Sequence, residues 1–165
     1  MKKTNVKYFG ALLLCSLLTT SSCKKEQKVV KPIKVEFKKE GELQVYQNAN
    51  DSIIATFNIE IADTDYERQT GLMYRPYMED NQAMLFIFPN TDYRSFFMKN
   101  TEIPLDIIYF DQDGQLVNIV ENAKPYDENS LPSAAPAKYV LEVNAGLSRK
   151  LGISEGVRIE FSEIE

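Results

Sequence analysis

The chain has 165 residues, 44% of them hydrophobic, which is enough for one well-packed domain and short for two. It contains no His, and its only Cys residues are Cys15 and Cys23, so Ser-His-Asp catalysis, Cys-His catalysis and His-based zinc sites are excluded. Residues 41–165 carry nine Lys and Arg against 21 Asp and Glu, a net charge of −12, and so acidic a body excludes nucleic acid as an expected partner.

The first 22 residues predict the signal peptide of a lipoprotein. Three Lys within the first seven residues give a positive start, and the apolar run at residues 9–18 is too short to span a membrane. The small polar residues at 19–22 lead to Cys23, and this junction resembles a bacterial lipobox, which implies cleavage before Cys23 and lipid on its thiol. The alternative is an ordinary secretory signal with a chance cysteine. Lipid on Cys23 would hold the protein on a membrane of the cell envelope, facing the periplasm or the cell surface.

A lysine-rich tether is predicted between the signal peptide and the domain. Residues 24–40 hold seven Lys and three Glu with little hydrophobic periodicity, which is typical of a flexible spacer. We therefore expect three parts: a signal peptide at residues 1–22, a lipidated tether at 23–40 and a single domain at 41–165.

About eight short strands and one or two short helices are predicted, which favours a mainly β fold, either a compact barrel or a sandwich. In residues 52–62, apolar odd positions alternate with mostly polar even positions, which indicates a half-buried strand. Residues 63–71 predict a helix, because Asp63 or Thr64 can cap its start and Gly71 suits its end. Residues 84–88 are apolar throughout, typical of a strand buried on both faces. The other predicted elements are strands at 42–46, 96–99, 105–110, 116–120, 139–143 and 157–161, a surface loop at 121–138 and a helical turn at 147–151.

Five sequence blocks resemble one known family. They are residues 71–75 (GLMYR), 84–86 (MLF), 97–101 (FMKNT), 103–108 (IPLDII) and 140–146 (VLEVNAG). Their order and spacing are similar to those of the bacterial and archaeal domain-of-unknown-function 192 family, and the resemblance covers residues 43–161. Ala83 stands where that family usually has Gly, and Phe97 stands where it usually has Trp. The resemblance implies a compact, mostly β domain that is often exported or membrane-attached, and it implies no activity.

Five polar residues lie in or beside these apolar blocks and are candidates for a ligand-binding site: Arg75, Lys99, Asn100, Asp106 and Glu142. Asp106 and Glu142 each lie within an apolar strand, where a carboxylate must point outward or find partners. In a structural interpretation they accept hydrogen bonds from turn N–H groups or pair with Arg75 or Lys99. In a catalytic interpretation they are the acid and base of a glycoside hydrolase, which requires carboxyl groups about 5–9.5 Å apart.

No metal site and no cofactor is predicted. Residues 111–114 (DQDG) begin like a calcium loop but lack its later ligands, so a hairpin turn is the better interpretation. A group of Met and aromatic residues is expected either to pack in the core or to line an apolar ligand pocket, since a Cu(I) site would need His or Cys as well. This group consists of Met73, Tyr74, Met84, Phe86, Phe96, Phe97 and Met98.

The leading functional hypothesis is a lipid-anchored binding or accessory domain of the cell envelope, with the five polar candidates in one shallow site. The alternative is an envelope carbohydrate hydrolase that uses Asp106 and Glu142, and a third class is a structural lipoprotein without a ligand. The expected partners are the membrane, through lipid on Cys23, and either a small molecule or an envelope protein. The sequence leaves open whether the protein is an enzyme.

Overall fold

A computed structural model describes residues 36–164, so the predicted signal peptide, Cys23 and most of the tether lie outside the described residues. Within this range the chain forms nine strands and two short helices, which confirms the prediction of a mainly β fold. In chain order the elements are β1 (Gly41–Gln47), β2 (Ser52–Ala62), α1 (Asp65–Thr70), β3 (Gln82–Asp92), β4 (Ser95–Phe96), β5 (Leu105–Phe110), β6 (Leu116–Ala123), β7 (Leu131–Pro132), β8 (Ala137–Asn144), α2 (Leu147–Lys150) and β9 (Val157–Glu163).

Seven of these strands form one sheet in the order β6-β5-β8-β3-β2-β1-β9. Neighbouring strands are antiparallel except β2 and β3, which are parallel and are joined by the crossover segment that contains α1. β4 and β7 form a separate two-stranded ladder. Before β1, the backbone N–H of Glu40 donates to the carbonyl of Ile59 at 2.8 Å, so the end of the predicted tether is hydrogen-bonded to the sheet.

The two edges of the sheet meet at one place. Gln115, which immediately precedes β6, forms a single antiparallel bridge with Arg158 of β9. Beside it, the backbone N–H of Ile159 donates to the carbonyl of Gly114 at 2.9 Å. Gly114 has a φ of +73°, and a Cβ there would lie 2.8 Å from the Ile159 carbonyl oxygen, so this close approach requires glycine. The sheet is therefore curled toward a barrel whose edges touch at this bridge.

Both faces of the sheet are buried along β5, much of β8 and the first half of β3, because successive residues of a strand point to opposite faces and both sets are mostly apolar there. One face is covered by a core that includes Leu43, Phe57, Leu85, Ile108 and Leu141. The opposite face, which we call the site face, carries Met84, Phe86, Ile107, Tyr109 and Val140, and Leu72 and Met98 pack over it. This two-sided burial explains the continuous apolar runs of β3 and β5.

Two local predictions were wrong. The predicted strand at 96–99 ends at Phe96, because the N–H of Met98 donates to the carbonyl of Asp127 at 2.7 Å and makes no ladder bond. The predicted loop at 121–138 is interrupted, because β6 continues to Ala123, β8 begins at Ala137 and β7 lies between them. Both differences come from pairings between residues that are far apart in the sequence.

Candidate functional site

Two carboxyl side chains, those of Glu60 and Glu142, lie in one row across the site face. The register pairs Glu60 with Met84, Met84 with Glu142, and Glu142 with Ile107. Residues that pair directly across strands project to the same face of a sheet, so these side chains are neighbours. Glu60 is 4% exposed and Glu142 is 5% exposed, and what each carboxyl contacts decides its role.

Glu60 forms a buried ion pair with Arg75. Arg75 Nη1 donates to Glu60 Oε1 at 3.0 Å, and the backbone N–H of Lys38 donates to the same oxygen. Glu60 Oε2 accepts no well-aligned hydrogen bond within residues 36–164, but Arg75 Nη2 lies 2.5 Å from it, close enough to compensate its charge. Arg75, a predicted ligand-binding residue, is therefore committed to Glu60.

Glu142 has the opposite character. Its carboxyl has no hydrogen-bond or ion-pair partner among residues 36–164, and its row neighbours Met84 and Ile107 are apolar. Burial raises the pKa of Glu142 to about 8, because nothing nearby compensates the charge of the ionised form. At neutral pH the group is therefore mostly a neutral carboxylic acid, which can both donate and accept a hydrogen bond.

Asp106 does not meet Glu142. The residue of β5 in register with Glu142 is Ile107, so Asp106 projects to the other face of the sheet. Its Oδ1 accepts from the backbone N–H of Asn122 at 2.9 Å. Its Oδ2 accepts from the N–H of Gly146 at 2.9 Å, and from the N–H and hydroxyl of Ser148 at 3.1 and 2.6 Å. Asp106 thus connects the start of α2 to β5 through hydrogen bonds to turn N–H groups, as the structural interpretation predicted for it. Asp106 and Glu142 do not form the carboxylate pair that the hydrolase hypothesis requires.

A cavity of about 590 Å³ opens beside Glu142. It lies between α1 with the turn that follows it, the site face of β3, and the segment from β4 to Thr101. Its apolar lining consists of Leu72, Met73, Phe86, Phe88, Phe96 and Phe97. Nine polar or charged residues also line it: Asp65, Arg68, Gln69, Thr70, Ser95, Lys99, Asn100, Thr101 and Glu142. The cavity therefore combines an apolar and aromatic surface with polar groups, among them the carboxyl group of Glu142.

The wall of the cavity that α1 forms begins and ends at residues with clear capping signals in the sequence. The Thr64 hydroxyl accepts from the N–H of Glu67, and the Glu67 carboxylate accepts from the N–H of Thr64, a capping box that starts α1. The helix ends at Gly71, whose φ is +44°. A Cβ at Gly71 would lie 2.9 Å from the Phe86 ring, so glycine lets the chain turn closely over the floor of the cavity.

The two loops that border the cavity are tied together at Asn100. Asn100 has a φ of 56°, and its carbonyl accepts from the N–H of Tyr74 at 2.8 Å. Tyr74 itself has a φ of 62°, a conformation that is unusual for a bulky side chain. Such strain persists only where surrounding contacts impose it, and it is often found at binding sites.

Two guanidinium groups lie near the ring of Phe88. Arg94 lies 4.0 Å and Arg68 lies 5.6 Å from the centre of its ring. Arg68 also donates to the Ile87 carbonyl at 2.9 Å and to Asp65 at 2.7 Å, so its charge is compensated. The exposed ammonium group of Lys99 has no ion-pair partner in the described part of the chain.

The structure brings together three of the five predicted binding residues. Lys99, Asn100 and Glu142 line the cavity, whereas Arg75 and Asp106 do not. In the predicted Met and aromatic group, Met73, Phe86, Phe96 and Phe97 line the cavity, Met84 and Met98 are buried in the core of the site face, and Tyr74 is exposed.

Sequence reasoning missed Phe88, Arg68 and the Glu60–Arg75 pair. Phe88 could have been found, because period two places it on the same face of β3 as Met84 and Phe86. Arg68 lies in a predicted helix and has no local signal that directs it to a cavity. The partner of Glu60 is 15 residues away, across the crossover, and only the tertiary structure shows the contact.

Three further findings concern residues 36–164 only. No group of three or more Asp or Glu side chains in this range is placed to hold a metal ion. None of the helices in the same range has the length and apolar character needed to cross a membrane. Residues 111–114 form a turn in which Asp111 Oδ1 accepts from the N–H groups of Asp113 and Gln115, both at 2.9 Å.

Similar proteins are known from sequence and from solved structures. The sequence model of the DUF192 family, described as "Uncharacterized ACR", matches residues 45–161. A protein of unknown function from Novosphingobium aromaticivorans DSM 12444 is 40% identical, with a TM-score of 0.68, and the match covers 72% of this chain and 83% of that one. A protein provisionally described as a transcription regulator, from Sinorhizobium meliloti 1021, is 36% identical, with a TM-score of 0.71, and the match covers 77% of this chain and 98% of that one. Among curated proteins, no sequence matches this chain significantly.

Proposed function

This chain belongs to the DUF192 family, and because that membership names no activity, we propose a function from the cavity: the protein is a lipid-anchored binding module of the cell envelope that holds a small ligand against Glu142. The ligand contacts the apolar and aromatic lining with most of its surface. Glu142 fixes its orientation through a hydrogen bond or a charge.

One observation carries this proposal: the Glu142 carboxyl is buried, unpartnered within residues 36–164, and open to the cavity. The Glu142 oxygens are not among the fully enclosed side-chain atoms of residues 36–164 that lack a partner, so they reach the open space of the cavity. A ligand in the cavity would supply the missing partner. The volume of about 590 Å³ lies within the range of roughly 300–1,000 Å³ that is usual for small-molecule sites.

The other candidate functions lack comparable support. The hydrolase hypothesis required Asp106 beside Glu142, and Asp106 projects to the opposite face of the sheet. A role in transcription, suggested by the description of the Sinorhizobium relative, conflicts with the net charge of −12 over residues 41–165. We therefore do not extend that role to this chain.

Filling the cavity should abolish ligand binding without unfolding the protein. Gln69 is an exposed residue of α1 whose side chain lines the cavity, so Gln69→Trp places a large ring there at little cost to the core. The measurement is a thermal-shift screen with sugars, muropeptides, fatty acids and amines. A ligand at about a hundred times its dissociation constant should add roughly 2.7 kcal/mol of stability to the wild type, and this gain should be lost in Gln69→Trp.

The matched control is Gln112→Trp, which adds the same ring at an exposed turn remote in sequence from the cavity walls. This control should keep the full ligand response. A response that survives in Gln69→Trp, or a screen in which no ligand stabilises the wild type, would contradict binding in this cavity.

The membrane anchor is tested separately at Cys23. Lipid chains on this thiol would place the wild-type protein in the membrane fraction, since two or more acyl chains give stable anchoring. Cys23→Ser should move the protein to the soluble fraction of the envelope and abolish incorporation of radiolabelled palmitate. Cys15→Ser serves as the control and should change neither result. Labelling that persists in Cys23→Ser would refute the anchor.

A further inference from the structure

We infer that the ligand of this cavity carries a positively charged amine or quaternary ammonium group, which lies against Glu142 and the phenyl rings of the lining. This inference rests on the proposed function, because it specifies the chemistry of the ligand in the same cavity. It assigns a cation-binding subsite to a cavity lined by six apolar or aromatic residues and nine polar or charged ones.

The first argument is the isolation of Glu142. Its strand neighbours in the row, Met84 and Ile107, offer no hydrogen-bond donor, and Arg75 is committed to Glu60. An ionised carboxylate is costly in such a place unless a positive charge accompanies it. A ligand cation would supply that charge, whereas a neutral ligand could add only a hydrogen bond.

The second argument is the aromatic lining. Phe86 and Phe96 meet edge to face with their ring centres 4.9 Å apart, and Phe97 lines the same space. The faces of such rings attract cations, which is how aromatic cages bind quaternary ammonium groups. Phe88 of the same cluster already has two guanidinium groups against it, those of Arg94 and Arg68.

The balance of charge around the cavity supports the same choice. Lys99 would favour an anion, but its side chain is exposed, and ion pairs at exposed positions contribute only about 0–1 kcal/mol. Arg68 is neutralised by Asp65. Glu142 is the acidic group in the buried wall, and a ligand cation would hold it in its ionised form. The net charge of −12 over residues 41–165 also draws cations toward the domain.

The inference predicts that binding of the cationic ligand releases a proton from Glu142. Besides the groups at the cavity, the titratable groups near Glu142 are Tyr109 of β5 and Lys138 of β8. Glu60, which is paired with Arg75, lies on the other side of Met84 in the same row. Burial, and then the Glu142 charge, raises the pKa of Tyr109, so Tyr109 stays neutral. A ligand cation would favour ionised Glu142 and lower its pKa from about 8. Binding should therefore strengthen as the pH rises toward 8.

The test uses three probes of similar shape, benzylamine, benzyl alcohol and benzoate, with benzyltrimethylammonium for the pH series because its charge is constant. Binding to the purified full-length protein is followed by the methyl NMR signal of Met73, which lines the cavity. We expect benzylamine to bind at least about tenfold more tightly than benzyl alcohol, and benzoate more weakly than either. The affinity for benzyltrimethylammonium should fall about 5- to 50-fold between about pH 8 and about pH 6, for a free pKa of about 8. In Glu142→Gln, the same pH change should alter it less than about twofold.

The outcomes separate this inference from the proposed function. If benzyl alcohol or benzoate binds as tightly as benzylamine and Gln69→Trp abolishes the binding, the cavity is a ligand site but the cationic subsite is wrong. Affinity for benzyltrimethylammonium that is independent of pH in the wild type also overturns the inference. So does the absence of benzylamine binding up to ~20 mM, a weak limit for a fragment of this size.

Discussion

Glu142→Gln is expected to raise the free energy of unfolding by about 2–4 kcal/mol at about pH 8, and to leave it nearly unchanged at about pH 4. The cause is the carboxyl group itself, which is buried without a partner among residues 36–164. Gln has nearly the same shape and the same ability to donate and accept, but it never ionises.

The direction with pH follows from the raised pKa of Glu142. Well below pH 4.5 the carboxyl is protonated in both the folded and the unfolded chain and favours neither. As the pH rises through 4.5, the unfolded chain ionises and the folded chain does not, so the wild type loses stability until about pH 8, where the folded carboxyl ionises too. The Glu142→Gln variant has no ionisable group at this position and does not show this loss.

The measurement is urea denaturation of both proteins across this pH range, with Glu155→Gln as the control. Glu155 is exposed in a turn, so its replacement should change stability by no more than about 0.5 kcal/mol at any pH. An effect of Glu142→Gln that is the same at about pH 4 and about pH 8 would show that the buried carboxyl is not neutral.

Arg75→Met is expected to lower the free energy of unfolding by about 3–5 kcal/mol, because it leaves Glu60 as an uncompensated buried charge. The loss should be measured by chemical denaturation at neutral pH. The double variant Glu60→Leu with Arg75→Met should recover most of it, since an apolar pair of similar volume is often as stable as a buried ion pair.

A surface ion pair provides the matched control. Arg149 pairs with Glu121 in a largely exposed position, so Arg149→Met should cost no more than about 1 kcal/mol. If Arg75→Met costs no more than Arg149→Met, or if the double variant is as unstable as the single one, the pair does not hold the crossover segment to the sheet as the structure indicates.

The strands that could be predicted are those with a strong local pattern. The alternation between Ile53 and Ile61 predicted β2 with the bounds it has, and the apolar run from Leu105 to Phe110 did the same for β5. The short β4–β7 ladder could not be predicted, because each strand has two residues and depends on a partner about 35 positions away. Ile53 also shows the limit of the pattern: it follows the alternation but is 51% exposed at the end of its strand.

The candidate site was harder to predict than the fold, because the faces on which Asp106 and Glu142 lie depend on the register between two strands. Both are acidic residues, one in each of two neighbouring buried strands, β5 and β8. Their local sequence contexts are similar, so the sequence alone does not distinguish their roles. The register between β5 and β8 pairs Glu142 with Ile107 and Asp106 with Val143, which puts the two carboxyls on opposite faces. A shift of one residue reverses the face of every side chain in a strand, and the residues of β5 and β8 show no apolar–polar alternation that would determine that shift.

The pairing of β1 with both β2 and β9 has a consequence for the order in which the chain can fold. Gly41 of β1 is in register with Glu163 of β9, a separation of more than a hundred residues. Until residues 157–163 leave the ribosome, β1 has a partner on one side only, and its other edge is open to pairing with a second chain. Contacts of such long sequence separation slow folding. The sheet can therefore be completed only after residues 157–163 have been synthesised, and until then the open edge of β1 can pair with another chain.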